Sequence, residues 1–306
     1  MISPDSLHPP GIFRVVCRPV LPKDTPDVLE LTRWIWGGHD YIHLVWADWL
    51  KDTEGLLTVA EYGGHVVGLY KLTRLSPSEW WLEGLRVHPD YEGRGIASRL
   101  HDYLMAYWER HRGGTIRLGT SSARKPVHHL SLRSGFQKIM ELSFYATENA
   151  PGPIGRVAPM QPGEENEALN FALHNPTPTF PNGLMDAGWQ WVAPSADRIA
   201  QGITSGHAWW WNDDGGRQAI ILARRDVEQG VEDLMVQLLV CPPELLATCL
   251  TDYRSLARSL GYQRVTWFVP HQAGLEPALE AACYRKEWED SLFVYEKVAS
   301  NQPNSP

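Results

Sequence analysis

Apolar and polar positions change period several times along this chain, and each change marks an element. Trp81 to Val87 is almost continuously apolar, as in a strand buried on both faces. From Ile96 the period lengthens: Ile96, Leu100, Tyr103, Leu104 and Tyr107 recur at the 3.6-residue spacing of a helix packed on a sheet. A polar turn, His88-Pro89-Asp90, and a loop holding Gly93 and Gly95 join the two. Glycines there let the backbone approach a ligand closely, and the free amides and dipole of the following helix point at it. The stretch reads as an anion site.

The remaining pattern falls into two successive sets of elements. The first 11 residues are Pro-rich and are expected to fray. Phe13 to Leu21 alternates as a strand, and a helix starts at Asp24 or Thr25, with Pro26 in its first turn. Gly37 to Tyr41 interrupts that helix, and Leu44 to Leu50 resumes a helical pattern. Leu56 to Tyr62 and Val66 to Leu72 flank Gly63-Gly64-His65 as a hairpin. After the glycine loop and its helix come a strand (Thr115 to Gly119), a short helix and a strand from Phe136 to Thr147.

Glu148 to Pro153 has linker composition, and beyond it the order restarts. Short strand, helix, helix and hairpin lead to a strand (Asp233 to Cys241) and a helix (Pro243 to Leu260), then strand, short helix and strand. Leu239-Val240-Cys241-Pro242 stands where Leu85 to Pro89 stood. There is no second glycine loop, because Pro243-Glu244 leads directly into the helix. The expected domains are residues 12–148 and 154–299 of an α/β protein, the second a degenerate copy of the first.

The loop is neither GxGxxG, since Ser98 replaces the third glycine, nor a GxxxxGK[ST] phosphate loop. It resembles motif A of the GNAT acetyltransferases, with Leu85-Arg86-Val87-His88-Pro89 at the strand end and Gly95-Ile96-Ala97 as Gly-x-Gly/Ala. Leu130 and Gly135-Phe136 match the later Leu and Gly-Phe of that family. The departures are Glu92 at an Arg/Gln position, Arg124 at an Asn and Ser131 at a Tyr. The two-part layout further resembles the histidine N-acetyltransferase-like branch. The resemblance implies tandem α+β GNAT folds with a mixed sheet in each. It also implies acetyl-CoA as acetyl donor, held by Leu85, Arg86, Val87, Glu92, Gly93, Arg94, Gly95, Ile96, Ala97 and Ser98.

Composition narrows the partners. The 306 residues are 43% hydrophobic and 21% charged, as in a folded two-domain chain. Net charge is −8 with pI about 5.8 and no basic stripe, which argues against nucleic acid and mildly favours cationic small molecules. No apolar run reaches the ~18 residues of a membrane helix, and the N-terminus has no signal-peptide pattern, so no membrane partner and a cytoplasmic location are expected. The four cysteines are scattered and read as structural thiols rather than a metal site. The 14 tryptophans read chiefly as core filling. The acceptor class implied is a small-molecule amine or amino acid. A peptide N-terminus and a non-catalytic acyl-CoA module are the alternatives, and a homodimer is left open.

Acetyl transfer to an amine needs an ammonium deprotonated from a pKa near ~10 and a donor for the oxyanion. Glu83 is the sharpest base candidate: it lies in an apolar strand, two residues before Leu85 and so on the same face, where burial would raise its pKa. The structural alternative is pairing with Arg86 or Arg117. His88 could act through water, though a turn histidine is more often exposed. Ser131 is far too weak an acid to replace a phenol and at most hydrogen-bonds the sulfur. His128 or His129 could face the cleft. His39, Asp40 and Tyr41, in the loop that lines the acceptor site in this family, are the expected acceptor contacts.

Overall fold

The computed structural model describes residues 14–299, apart from 112, 229 and 273. The Pro-rich start and positions 12–13 lie outside the described residues. Two compact units result, Met1–Ile116 with Val298–Pro306, and Arg117–Lys297. Among the described residues no helix is long and apolar enough to cross a membrane.

The first unit holds β1 (Val16–Pro19), α1 (Thr25–Thr32), α2 (Ile42–Lys51), β2 (Leu56–Tyr62), β3 (His65–Ser76), β4 (Glu79–Val87) and α3 (Ile96–Arg110). Strands β1 to β4 pair antiparallel in chain order. Their alternation sorts the helices onto two faces. Leu57, Val59 and Leu69 pack with Val28, Leu31, Ile42, Trp46 and Trp49 of α1 and α2. Gly68, next in β3, faces α3: a Cβ there would stand 3.2 Å from Ile96 and from Leu100, so only glycine lets α3 sit this close.

Strand β5 (Thr115–Ser121) crosses the division, and α4 (Lys125–Arg133) and β6 (Gln137–Glu148) follow in the second unit. Then come β7 (Val157–Pro159), α5 (Glu165–His174), β8 (Met185–Asp186), β9 (Trp191–Val192), α6 (Ala196–Thr204), β10 (Ala208–Asp213), β11 (Gly216–Glu228) and β12 (Val231–Val240). The chain continues through α7 (Pro243–Ser259), β13 (Arg264–Pro270), α8 (Glu276–Ala281), β14 (Arg285–Lys286) and β15 (Leu292–Val298). The sheet of this unit runs β5-β15-β6-β13-β12-β11-β10-β7. It is mixed: β12 and β13 are parallel, whereas β6 pairs antiparallel with β13 and β15. Trp209, Trp210 and Trp211 on β10 are all buried, two of them in the core between the sheet and α7, which bears out the core-filling reading.

The division at 116/117 falls inside the expected first domain of 12–148. Residues Leu142 to Glu148 of β6 are hydrogen-bonded to Pro270 to Arg264 of β13, so the end of the first set of elements is packed into the second. Element order restarts after Glu148, but compactness does not.

Candidate active site

The glycine loop is built by one turn at the end of β4. The His88 amide donates to the Val67 carbonyl (2.9 Å), tying the strand end to β3. A 3₁₀ turn over Pro89–Tyr91 follows, and His88 Nδ1 accepts its Asp90 amide at 3.2 Å. A neutral ring accepting at Nδ1 carries its proton on Nε2, so His88 is a cap here and would have to leave it to act as a base. Gly93 and Gly95 take φ of +72° and +77°, and a Cβ on either would meet nothing within 4 Å. Gly95 caps α3, whose first bond is Arg99 N–H to the Gly95 carbonyl at 3.1 Å. The first-turn amides, from Ile96 to Ser98, have no acceptor within their helix. Arg94 lies with its guanidinium carbon 5.3 Å from the Tyr91 ring centre, and Glu92 is exposed. The residues from Glu92 to Ser98 thus surround one open cradle. Backbone donors, a helix N-terminus and clear space fit the pyrophosphate of acetyl-CoA.

Strand β4 corrects one expectation. Leu69 faces Arg86 while Lys71 faces Glu83, so Gly84 and Leu85 together oppose Tyr70 in a β-bulge. Gly84 takes φ +71°, and a Cβ on it would stand 2.5 Å from the Trp49 ring. The bulge breaks the period-two alternation. Glu83 therefore shares its face with Arg86, towards α2, and not with Leu85. Thr73, missed in the sequence because it lies 10 residues away, donates its hydroxyl to Glu83. Arg117, a structural alternative partner for Glu83, binds Glu296 (2.7 Å).

Asp40 and Arg86 come together where the sequence assigned them to different ligands. Arg86 Nε and Nη2 donate to Asp40 at 2.8 and 3.0 Å, and the two side chains are 1% (Asp40) and 7% (Arg86) exposed. Asp40 also accepts the Ile42 amide at 3.3 Å. Both expectations change: the Asp40 charge is spent on Arg86 and is not open to a cationic acceptor, and Arg86 is held by Asp40. A buried carboxylate without such a partner would carry a large desolvation cost. Tyr41 stays near the surface, with the Arg86 guanidinium 5.5 Å from its ring centre. His39 is exposed in the same loop.

Ser131 is buried, and its hydroxyl donates to the Val127 carbonyl of its own helix at 2.8 Å. Its one proton is therefore committed, which removes the expected contact with sulfur. His128 is engaged too: it lies 3.1 Å from the Ser122 carbonyl through Nε2 and 3.0 Å from the Tyr295 hydroxyl through Nδ1.

Comparison with known proteins agrees with this geometry. Residues 25–136 match the Acetyltransferase (GNAT) family. Histidine N-acetyltransferase of Oreochromis niloticus is 33% identical over 79 residues, 26% of this chain and 23% of the relative. Probable N-acetyltransferase 16 of Homo sapiens is 23% identical over 208 residues, 61% of this chain and 56% of the relative. The matches thus span from under a quarter to little over half the length of the curated relatives. In structure, a GCN5-related N-acetyltransferase from Sphaerobacter thermophilus superposes with a TM-score of 0.64 at 13% identity, covering 93% of this chain and 95% of its own. Family match and glycine loop coincide on the same residues: residues 25–136 carry a GNAT-family acetyltransferase domain, and the fold around them is that of GNAT proteins.

Proposed function

We propose that the protein is an acetyl-CoA-dependent N-acetyltransferase that acetylates the primary amine of a small molecule or amino acid by direct attack in a ternary complex. The observation that carries this reading is the open cradle at Gly93 and Gly95 on the N-terminus of α3. An amino-acid acceptor is favoured by the 79-residue likeness to a histidine N-acetyltransferase. The thioester supplies the acetyl group, and the chain supplies position and proton transfer. Glu83 takes the proton of the attacking ammonium, directly or through a water, while the Thr73 hydroxyl orients its carboxylate. A bulge leaves one residue out of the ladder, so an amide between Gly84 and Val87 is available to polarise the thioester carbonyl. Tyr41 offers a flat ring beside the acceptor, and His88 holds the loop in shape. Residues 154–299 act as a second GNAT-like domain without a cofactor loop.

A non-catalytic acyl-CoA module is the second reading, favoured by the committed Ser131 hydroxyl, which provides no phenol-like acid. Acetyl-CoA turnover across single amino acids, simple amines and short peptides separates them. The proposal expects turnover with small amines and little with peptides. Tight CoA binding without turnover on any amine overturns it.

A further inference from the structure

Three aromatic side chains from the segment holding α1 and α2 stand over one face of β4. The strand partners define that face. Lys71 opposes Glu83, Leu69 opposes Arg86, and the Val67 carbonyl accepts the His88 amide. Residues 67, 69 and 71 alternate along β3 and share a side, so Glu83, Arg86 and His88 project from β4 in one row. Over that row lie Trp49, against Gly84 at the bulge, then Tyr41, 5.5 Å from the Arg86 guanidinium. The third is Trp34, whose ring is 6.4 Å from that of His88 and tilted by 56°. Tyr41 meets Trp49 edge to face at 6.2 Å, so the rings follow one another along the strand.

Their exposure rises in the same order, from 8% at Trp49 through 37% at Tyr41 to 61% at Trp34. Core packing accounts for Trp49 and leaves Trp34 open. Its backbone is held by its amide bond to the Leu31 carbonyl (3.2 Å), and its indole leans on His88, which Tyr91 backs edge-on at 5.6 Å. A large apolar ring is thus fixed in place with most of its area still wet, at the end of a row that begins with a carboxylate. Covering such a ring releases apolar area from water.

We propose that Trp34 is a specificity-determining residue, forming with Tyr41 an aromatic wall that selects acceptor amines carrying a flat ring. The inference rests on the acetyl-transfer reading above and narrows its substrate class. Residues 67 and 71 are four apart, so the Glu83 and His88 positions lie about 13 Å from each other along the strand. An amine nitrogen at Glu83, directly or through a water, with a two-carbon spacer, brings its ring beside Tyr41 and up to Trp34. Aromatic rings prefer to meet offset or edge to face, which a flat body can do against both side chains and a puckered one cannot.

The test is steady-state acetylation of 2-phenylethylamine and 2-cyclohexylethylamine by the full chain at saturating acetyl-CoA, in wild type, Trp34→Ala and Trp34→Phe. The two amines share a spacer, and the cyclohexyl ring is apolar but not flat, so a preference for phenyl reports the aromatic wall. Stacked rings add roughly 2- to 12-fold beyond the area they bury, and wild type should favour the phenyl amine ~5-fold or more in kcat/KM. Trp34→Ala should bring the ratio within about twofold, through KM with kcat little changed, and Trp34→Phe should keep the preference. Calorimetry with CoA checks that each variant is folded, and CoA affinity should be the same in all three. No acetylation of any amine overturns the acetyl-transfer reading and this inference with it. Acetylation without a ring preference, or a preference that Trp34→Ala leaves intact, overturns this inference alone. A loss of CoA affinity in Trp34→Ala also overturns it and makes Trp34 a support of the His88 turn.

Discussion

Strands β4 and β12 are the same device used in two ways. Each carries a bulge three residues before its last residue, at Gly84 and Gln237, and each then feeds a long helix. After β4 the chain spends His88 to Gly95 on a turn and a glycine loop. After β12 only Cys241 and Pro242 intervene, and Pro243 opens α7. A proline at the first helical position has no amide to offer. The residues before the bulge differ as well. Glu83 corresponds to Val236 and Arg86 to Leu239, both apolar and at most 2% exposed. Around β12 plain core thus stands where β4 has cradle, carboxylate and guanidinium. The shared backbone provides a bulge and a helix N-terminus, and a cofactor site requires the loop and the polar side chains added to them.

That contrast can be broken at several points. The largest effect is expected at Glu83, where β12 has Val236. Glu83→Gln should lower kcat by about 10²–10⁴-fold with CoA affinity nearly unchanged, measured by steady-state kinetics and calorimetry on one preparation. Turnover within about threefold of wild type would leave Glu83 a structural residue. Next is the buried pair: Arg86→Ala strands Asp40 and should cost about 3–5 kcal/mol in urea unfolding. A cost below about 1 kcal/mol would mean that the pair is solvated. Third, Gly95→Val places a side chain in a left-handed cradle and should weaken CoA binding at least ~10-fold, or ~1.4 kcal/mol. The smallest effect belongs to His88→Ala, which removes a turn cap worth about 1 kcal/mol, read as a modest fall in Tm with little change in the pH profile of kcat. A lost titration limb would instead make His88 a participant.

The loop, α3 and the missing second loop were legible because they rest on local rules: glycines where φ turns positive, 3.6-residue spacing, proline at a helix start. The bulge was written only as Gly84 inside an apolar strand. Read as ordinary alternation, it put Glu83 on the wrong face. The Asp40–Arg86 pair spans 46 residues, and no local pattern announces such a contact. Nor did the sequence reading find the hairpin of β8 and β9, with two residues to each strand and Trp189 in a turn position that normally wants glycine or asparagine. The pairing of β6 with β13 escaped because register between distant strands depends on tertiary packing.

The central claim is that the chain binds the acetyl donor at one place, the loop between β4 and α3, and not after β12. Calorimetric titration of the full chain with acetyl-CoA, alongside the Gly95→Val variant, tests it directly. One site per chain, lost or at least ~10-fold weaker in the variant, is the expected result. Two equivalent sites, or one site that Gly95→Val leaves untouched in a folded protein, would contradict it.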